Sequence, residues 1–266
     1  MEINMGFFEQ DTAVTQLSEQ RWQAELKRGW RIGSVPNGGY VLAVIARALQ
    51  EALPHNDPLS INAFYMAPCA LGLCEIVVEP LRSSRGTSFA SASLYQNDEL
   101  KVRVTAAYTV LDRLNGETWL NSEMPQAPAF ESLADQRANL LEIHQRVDSR
   151  LFKGAEVFTR GEKPGTGEFL AWLAHIDGAP IGSVDLCMFA DIMPPPPFTL
   201  FGPYGWVPTI ELTVQCRAVP EAGPLLGRMR ARHLTRGIVE SDCDLWDSAG
   251  NLVALARQTM KVRLPQ

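Results

Sequence analysis

Three places in this 266-residue chain set a polar group among apolar neighbours, and each has the residue types to do chemistry. Asp191 follows Met188, Phe189 and Ala190 near the end of an apolar run. Burial and the negative end of a helix dipole both raise a carboxyl pKa, the direction wanted in a general base or a group that orients water. A helix that simply ended at Asp191 would instead leave it in solvent. Asp185 is the competing carboxylate. It lies six residues earlier, about 240° around a helix, so the two cannot share a face. Gln258 lies in Leu252–Val262, on the parity of Leu252, Ala254, Ala256, Met260 and Val262. Side chains at i and i+2 share one face of a strand. A buried amide there must find partners or cost about 1–3 kcal/mol, whether it bonds to backbone or serves a site. Asn37-Gly38-Gly39 precedes an apolar helix-like run. Asn can cap a helix, two glycines let a ligand approach the backbone, and free N–H groups there can polarise a carbonyl oxygen. A plain cap with tight packing is the alternative.

The elements that must position these residues occur twice. Arg85-Gly86 recurs as Arg236-Gly237 and Leu94-Tyr95 as Leu245-Trp246, both at an offset of 151. Fixed-offset similarity in order marks duplicated supersecondary structure. Each half opens with strand-like segments, Thr12–Leu17 and Arg21–Leu26, then Ala155–Thr159 and Glu168–His175. Each continues with an apolar run read as a buried helix, Gly39–Leu53 and Ile181–Met193. Pro194–Pro197 stops the second, because proline supplies no N–H. Strand candidates follow at Leu59–Met66, Leu73–Leu81, Ser88–Gln96 and Leu100–Val110. Their counterparts are Pro208–Arg217, Leu225–Leu234, Val239–Asp247 and Leu252–Val262, and short polar loops predict antiparallel neighbours. The fold expected is α+β: a double hotdog, two curved antiparallel sheets each wrapped around a long buried helix. Its parts are an N-terminal hotdog over 1–114, a linker over 115–148 and a C-terminal hotdog over 149–266. Within the linker, Leu133, Leu140, Leu141 and His144 are spaced for a surface helix over Phe130–Val147. Duplication also supplies an internal control. Where the second copy has Gln258, the first has Ala106.

Several motifs then point to one family. They are Ala190-Asp191 before the prolines, Thr209-Ile210 opening Thr209–Arg217, and Leu252-Val253-Ala254-Leu255-Ala256-Arg257-Gln258. The first half adds Gly38-Gly39 and the arginine-rich turn Leu81–Phe89. On these residues the chain resembles the type II acyl-CoA thioesterases, which are double hotdog proteins, over most of its length outside the linker. The resemblance implies hydrolysis of acyl-CoA to free acid and coenzyme A, with Asp191, Thr209 and Gln258 holding a water and Asp191 taking its proton. It also implies an oxyanion received at Gly38 and Gly39 or at the second helix's start. Asn37, Gly38, Gly39, Arg82 and Arg85 would bind substrate, and Arg82, Arg85 or Arg236 would meet the phosphates. No cofactor and no metal is implied beyond the coenzyme A thioester itself. The chain departs from the family pattern at Ala190, at Glu211-Leu212-Thr213 and at Thr259-Met260. Strand parity also sets Thr209 opposite Ile210, Leu212 and Val214, on the more polar face.

Other classes fit less well. A net charge of −6 without a Lys/Arg run argues against nucleic-acid partners. The longest apolar stretches, such as Val41–Ala46, fall short of the roughly 18 residues a membrane helix needs. The acidic start Met1–Met5 has no signal-peptide pattern. Five scattered cysteines read as buried thiols in a reducing, cytoplasmic setting. No G-x-S-x-G is present, and Gly165-Thr166-Gly167 is too short for a dinucleotide site. A catalytically silent acyl-CoA or lipid binder is the alternative reading. A hotdog dehydratase or hydratase is a weaker one, because His55, His144, His175 and His233 all lie away from the helix starts. Strand edges and apolar hotdog faces leave room for a homodimer.

Overall fold

The computed structural model describes residues 5–134, 141–203 and 205–263. The first half contains β1 (Thr15–Ser18), β2 (Arg21–Leu26), helix α1 (Gly38–Ala52), β3 (Asp57–Tyr65), β4 (Gly72–Ser83), β5 (Ser88–Gln96) and β6 (Glu99–Thr109). The second contains β7 (Val147–Lys153), β8 (Glu168–His175), helix α2 (Asp185–Phe189), β9 (Thr209–Cys216), β10 (Leu225–Arg230), β11 (Ile238–Trp246) and β12 (Leu252–Lys261).

These strands form one antiparallel sheet in the order β1-β2-β4-β5-β6-β3-β9-β12-β11-β10-β8-β7, with the short Leu234–Thr235 pairing β11. The order reads alike from either edge, as a duplication requires. The halves join where β3 meets β9, with Ala63 opposite Leu212 and Asn62 opposite Thr213. The repeat extends to its irregularities. Register shifts at Leu94/Tyr95 in the β5–β6 pair and at Leu245/Trp246 in the β11–β12 pair, the same offset seen in the sequence.

Helix α1 forms because the Asn37 side chain accepts from the Tyr40 N–H (2.9 Å) and ten residues between Gly39 and Leu49 are buried. It ends before Pro54, with Leu53 extended, as a residue preceding proline must be. The inward parity of the first sheet supplies Ile61, Ala63, Ile76, Val78, Ala92, Leu94, Val102 and Val104 to the core around it. Helix α2 packs against α1 from the other half.

Four expectations are corrected. The second buried run is helical only over Asp185–Phe189, not Ile181–Met193. Ile181, Ile192 and Met193 are nonetheless buried. Apolarity along a run reports burial, which a turn or an extended segment satisfies as well as a helix does. The segment Phe130–Val147 is not one surface helix. Its described parts are short 3-10 turns at Phe130–Ser132 and Glu142–Gln145, and Val147 already begins β7; Leu140 lies outside the described residues. The chain around Pro128–Phe130 is held on the outer face of the second half of the sheet. Trp172 Nε1 donates to the Pro128 carbonyl (2.8 Å), and the Arg150 guanidinium bonds the Phe130 carbonyl (2.9 Å) and lies over its ring. Ala155–Thr159 is a helical turn rather than a strand, so the first strand of the second half is β7. Finally, Leu225–Leu234 breaks into β10 and the separate Leu234–Thr235. No helix among the described residues is long and apolar enough to cross a membrane.

Candidate active site

Asp191 follows α2 by two residues, and its chemistry is set by the N-terminus of the other helix. The Gly39 N–H donates to Asp191 Oδ2 (2.8 Å), and Asn37 Nδ2 lies 3.2 Å from both that oxygen and the Asp191 carbonyl. This approach requires glycine. A Cβ on Gly39 would sit 2.7 Å from the Cys187 carbonyl oxygen and 2.8 Å from Asp191 Cβ, and one on Gly38 would sit 3.0 Å from Asp191 Oδ2. The alternative of an Asp191 simply in solvent does not hold. Burial pushes its pKa up to about 6, against the opposing pull of the Gly39 N–H, the Gln258 amide and the Asn37 amide.

Gln258 is 4% exposed. Its Oε1 accepts from the Thr209 hydroxyl (2.7 Å). Thr209 thus fixes the rotation of the amide and leaves its nitrogen end for Asp191, whose ionised form the Gln258 side chain favours. Strand parity had set Thr209 on the polar face. The structure turns it inward through a β-bulge. Thr209 pairs with Met260 and Glu211 with Thr259, so Ile210 is an extra, exposed residue. One inserted residue moves everything before it to the other face. Thr209 therefore shares a face with Leu212 and Gln258.

Asp185, the competing carboxylate, is consumed elsewhere. It is buried, with Oδ1 2.7 Å from His175 Nε2 and Oδ2 3.8 Å from Arg47. Arg82 is exposed at the end of β4 and Arg85 on the turn that follows it, beside the C-terminal end of α1. Its backbone meets His55 and Thr109, and Tyr108 on the neighbouring strand reaches the Ala46 carbonyl. The length of α1, roughly 20 Å at 1.5 Å per residue, separates that end from Gly39. Arg236 occupies the equivalent turn of the second half, next to Ile238–Lys261 and Val239–Met260, on the Thr209 side. The structure brings together Asn37, Gly38, Gly39, Asp191, Thr209 and Gln258, and does not bring Arg82 or Arg85 to them.

Tyr65 is a member of the site that sequence reasoning missed. Its hydroxyl donates to the Gly38 carbonyl (2.8 Å), and burial raises its pKa well above the ordinary value, with the Asp191 charge adding to the effect. The signal was present. Tyr65 lies on the inward parity of Ile61 and Ala63, so its polar tip had to meet a partner inside. Among the described residues, no group of three or more His, Cys, Asp or Glu side chains is placed to hold a metal ion.

Comparisons with known proteins identify the family. Residues 26–110 match the N-terminal domain, and residues 121–262 the C-terminal domain, of acyl-CoA thioesterases. The chain is 21% identical to the thioesterase-like protein TwmA of Talaromyces wortmannii, over 97% of this chain and 92% of that one. A crystal structure from Thermobifida fusca, of a protein described as a thioesterase II, is 27% identical over 98% of this chain and 99% of its own, with a TM-score of 0.89. The acyl-CoA thioesterase II TesB2 of Mycobacterium marinum shares the fold at 18% identity, 97% and 99% coverage and a TM-score of 0.74. The chain belongs to the acyl-CoA thioesterase family and is a thioesterase, with the family's two domains in that order.

Proposed function

We propose that this protein hydrolyses acyl-CoA thioesters with a water held by Asp191, Thr209 and Gln258, Asp191 acting as general base. The observation that carries the reading is the Asp191 carboxylate, seated against the Gly39 N–H with its pKa raised to about 6. Such a group is ionised at neutral pH yet basic enough to draw a proton from water. Its protein donors at Gly39 and Asn37 converge on Oδ2. Oδ1 is the oxygen we assign to the water. The water's oxygen attacks the thioester carbonyl while its proton passes to Asp191. Collapse of the tetrahedral intermediate breaks the carbon–sulfur bond. The thiolate leaves and takes up a proton, giving the acid and the coenzyme A thiol.

The Gly39 N–H is occupied by Asp191 and the Tyr40 N–H by Asn37, so of the first turn of α1 the Gly38 N–H is the donor we assign to the oxyanion. The start of α2 is a poorer choice, since there Ser183 bonds Asp57 at the far end of the helix pair. The acyl chain would lie along the apolar helices between the hotdogs. Arg82 and Arg85, at the far end, and Arg236, on the near turn, are our assignments for the coenzyme A phosphates.

The test is a panel of acyl-CoAs of increasing chain length, followed by release of free thiol. Turnover is expected at one or more lengths. A folded sample that binds acyl-CoA tightly and releases no thiol would replace this reading with that of a silent binder.

A further inference from the structure

One peptide unit is held at both of its polar ends. The carbonyl of Gly38 accepts from the Tyr65 hydroxyl (2.8 Å), and the N–H of the same peptide, on Gly39, donates to Asp191 Oδ2 (2.8 Å). We infer that Tyr65 is a positioning residue that acts on Asp191 through the Gly38–Gly39 peptide, fixing the peptide's orientation and strengthening its N–H as a donor. The inference deepens the reading of Asp191 as the base and rests on it for its effect on rate.

Three features support it. A donor at a peptide oxygen polarises the peptide and makes its N–H a stronger donor, and low local dielectric enlarges the effect. Tyr65 belongs to β3, so its position is set by the sheet rather than by the helix it steadies. Its ring also packs close to Gly38, where a Cβ would lie 3.3 Å from the ring carbon Cζ, so the hydroxyl is held in place by more than its hydrogen bond. The pair of residues links elements from different hotdogs, β3 and the turn after α2.

Among the described residues, few other charges face these groups. Around Tyr65 and Asp191 the titratable side chains are Cys187 in α2, Cys69 after β3, Cys243 on β11 and Glu211 on β9. Burial raises all three thiols above their ordinary value, so they are neutral at physiological pH. Gln258 and Asn37 contribute neutral amides.

Tyr65→Phe removes the hydroxyl and keeps the ring. Losing the donor on the Gly38 carbonyl weakens the Gly39 N–H toward Asp191, so the carboxylate becomes easier to protonate. The expected result is an acid limb of kcat/KM moved up by roughly half a pH unit, with activity largely recovered at high pH. Fluorotyrosine at position 65, a stronger donor, is expected to move the limb the other way. The Asp191 carboxyl is also followed directly by carbon NMR in protein labelled at aspartate Cγ, assigned with Asp191→Asn. That readout needs no turnover. Absence of turnover in the unaltered protein would therefore sink the thioesterase mechanism and leave the inference to the titration. An Asp191 titration unmoved by both substitutions, with only a uniform loss of rate or of thermal stability, would overturn it and make Tyr65 a packing residue.

Discussion

In β3, Leu59 is the extra residue between Pro58, opposite Tyr108, and Ser60, opposite Ala107. In β9, Ile210 is the extra residue between Thr209, opposite Met260, and Glu211, opposite Thr259. The two bulges occupy the same place in the two copies, and the side chains they aim inward differ. Thr209 faces Gln258 across β12, whereas Pro58, with no donor, stands near Ala106 on β6. At the Thr209 end, the nearby carboxylate keeps a raised pKa and an oxygen free of the Gly39 and Asn37 donors. At the other end, Asp57 is taken by the Ser183 hydroxyl (2.7 Å) and the Leu111 N–H (2.9 Å), and Asp185 by His175. One end of the helix pair satisfies its polar groups with protein, and the other leaves hydrogen-bonding capacity for a water and a substrate. Duplication supplies a scaffold with two equivalent ends, and only one of them has to carry an incompletely satisfied, destabilising carboxylate.

The sharpest way to break this contrast is Asp191→Asn. Shape and the bond from Gly39 survive through the amide oxygen, but the base is lost, and a fall in kcat of about 10³-fold or more is expected. The same variant carries a stability prediction. The folded pKa of about 6 lies above the unfolded carboxyl value, so Asp191 favours the fold most at low pH. That contribution is lost as pH rises through 6. Asp191→Asn is therefore expected to match or exceed the unaltered protein in denaturant melts at pH 8, and to lose that advantage near pH 4. A variant equally active, or less stable at pH 8 than at pH 4 relative to its parent, would refute the assignment.

Gly39→Ala comes next. Its methyl would press on the Cys187 carbonyl and on Asp191, and overpacking of this kind costs about 1–3 kcal/mol. Thermal melting should show that loss, with activity falling further than stability because Asp191 is displaced. Gln258→Ala and Thr209→Val should each lower kcat by roughly 10- to 100-fold, since they hold the water rather than take its proton. The mirror change, Ala106→Gln, places an amide where Pro58 offers no donor. It is expected to cost about 1–3 kcal/mol and to leave kcat unchanged. The smallest effect is on pH dependence. The rate should rise with pH and level off above about 6 as Asp191 ionises, and a rate flat from pH 5 to 8 would place the base elsewhere.

Much of this was legible in the residues. The repeat showed in Arg85-Gly86 and Arg236-Gly237 because a turn needs particular residues at a particular place. Helix α1 showed because a long apolar run follows Asn37, a residue that can cap it. Gln258 stood out because Ala106 held the equivalent position. Other features were hidden for physical reasons. The end of α2 was masked because Ile192 and Met193 are buried without being helical. The 3-10 turn at Phe130–Ser132 was hidden because the carbonyls of Pro128 and Phe130 are held by Trp172 and Arg150, from strands that follow in the chain. Arg82 and Arg85 matched the family's turn, yet their end of α1 is not the end where Asp191 sits.

The amino-acid sequence by itself determined the double hotdog, because patterning, turns and a fixed offset are local properties that a chain carries into any conformation. It also named Asp191 and Gln258, since a polar residue on an apolar face is visible along one strand or helix. Tertiary structure decided what these residues became. The bulge at Ile210 turned Thr209 inward, and the packing of one helix start against the other hotdog joined the Gly39 N–H to Asp191. Burial then raised the carboxyl. Each of these depends on atoms far apart in sequence, and proximity of that kind exists only after the two halves have closed on each other.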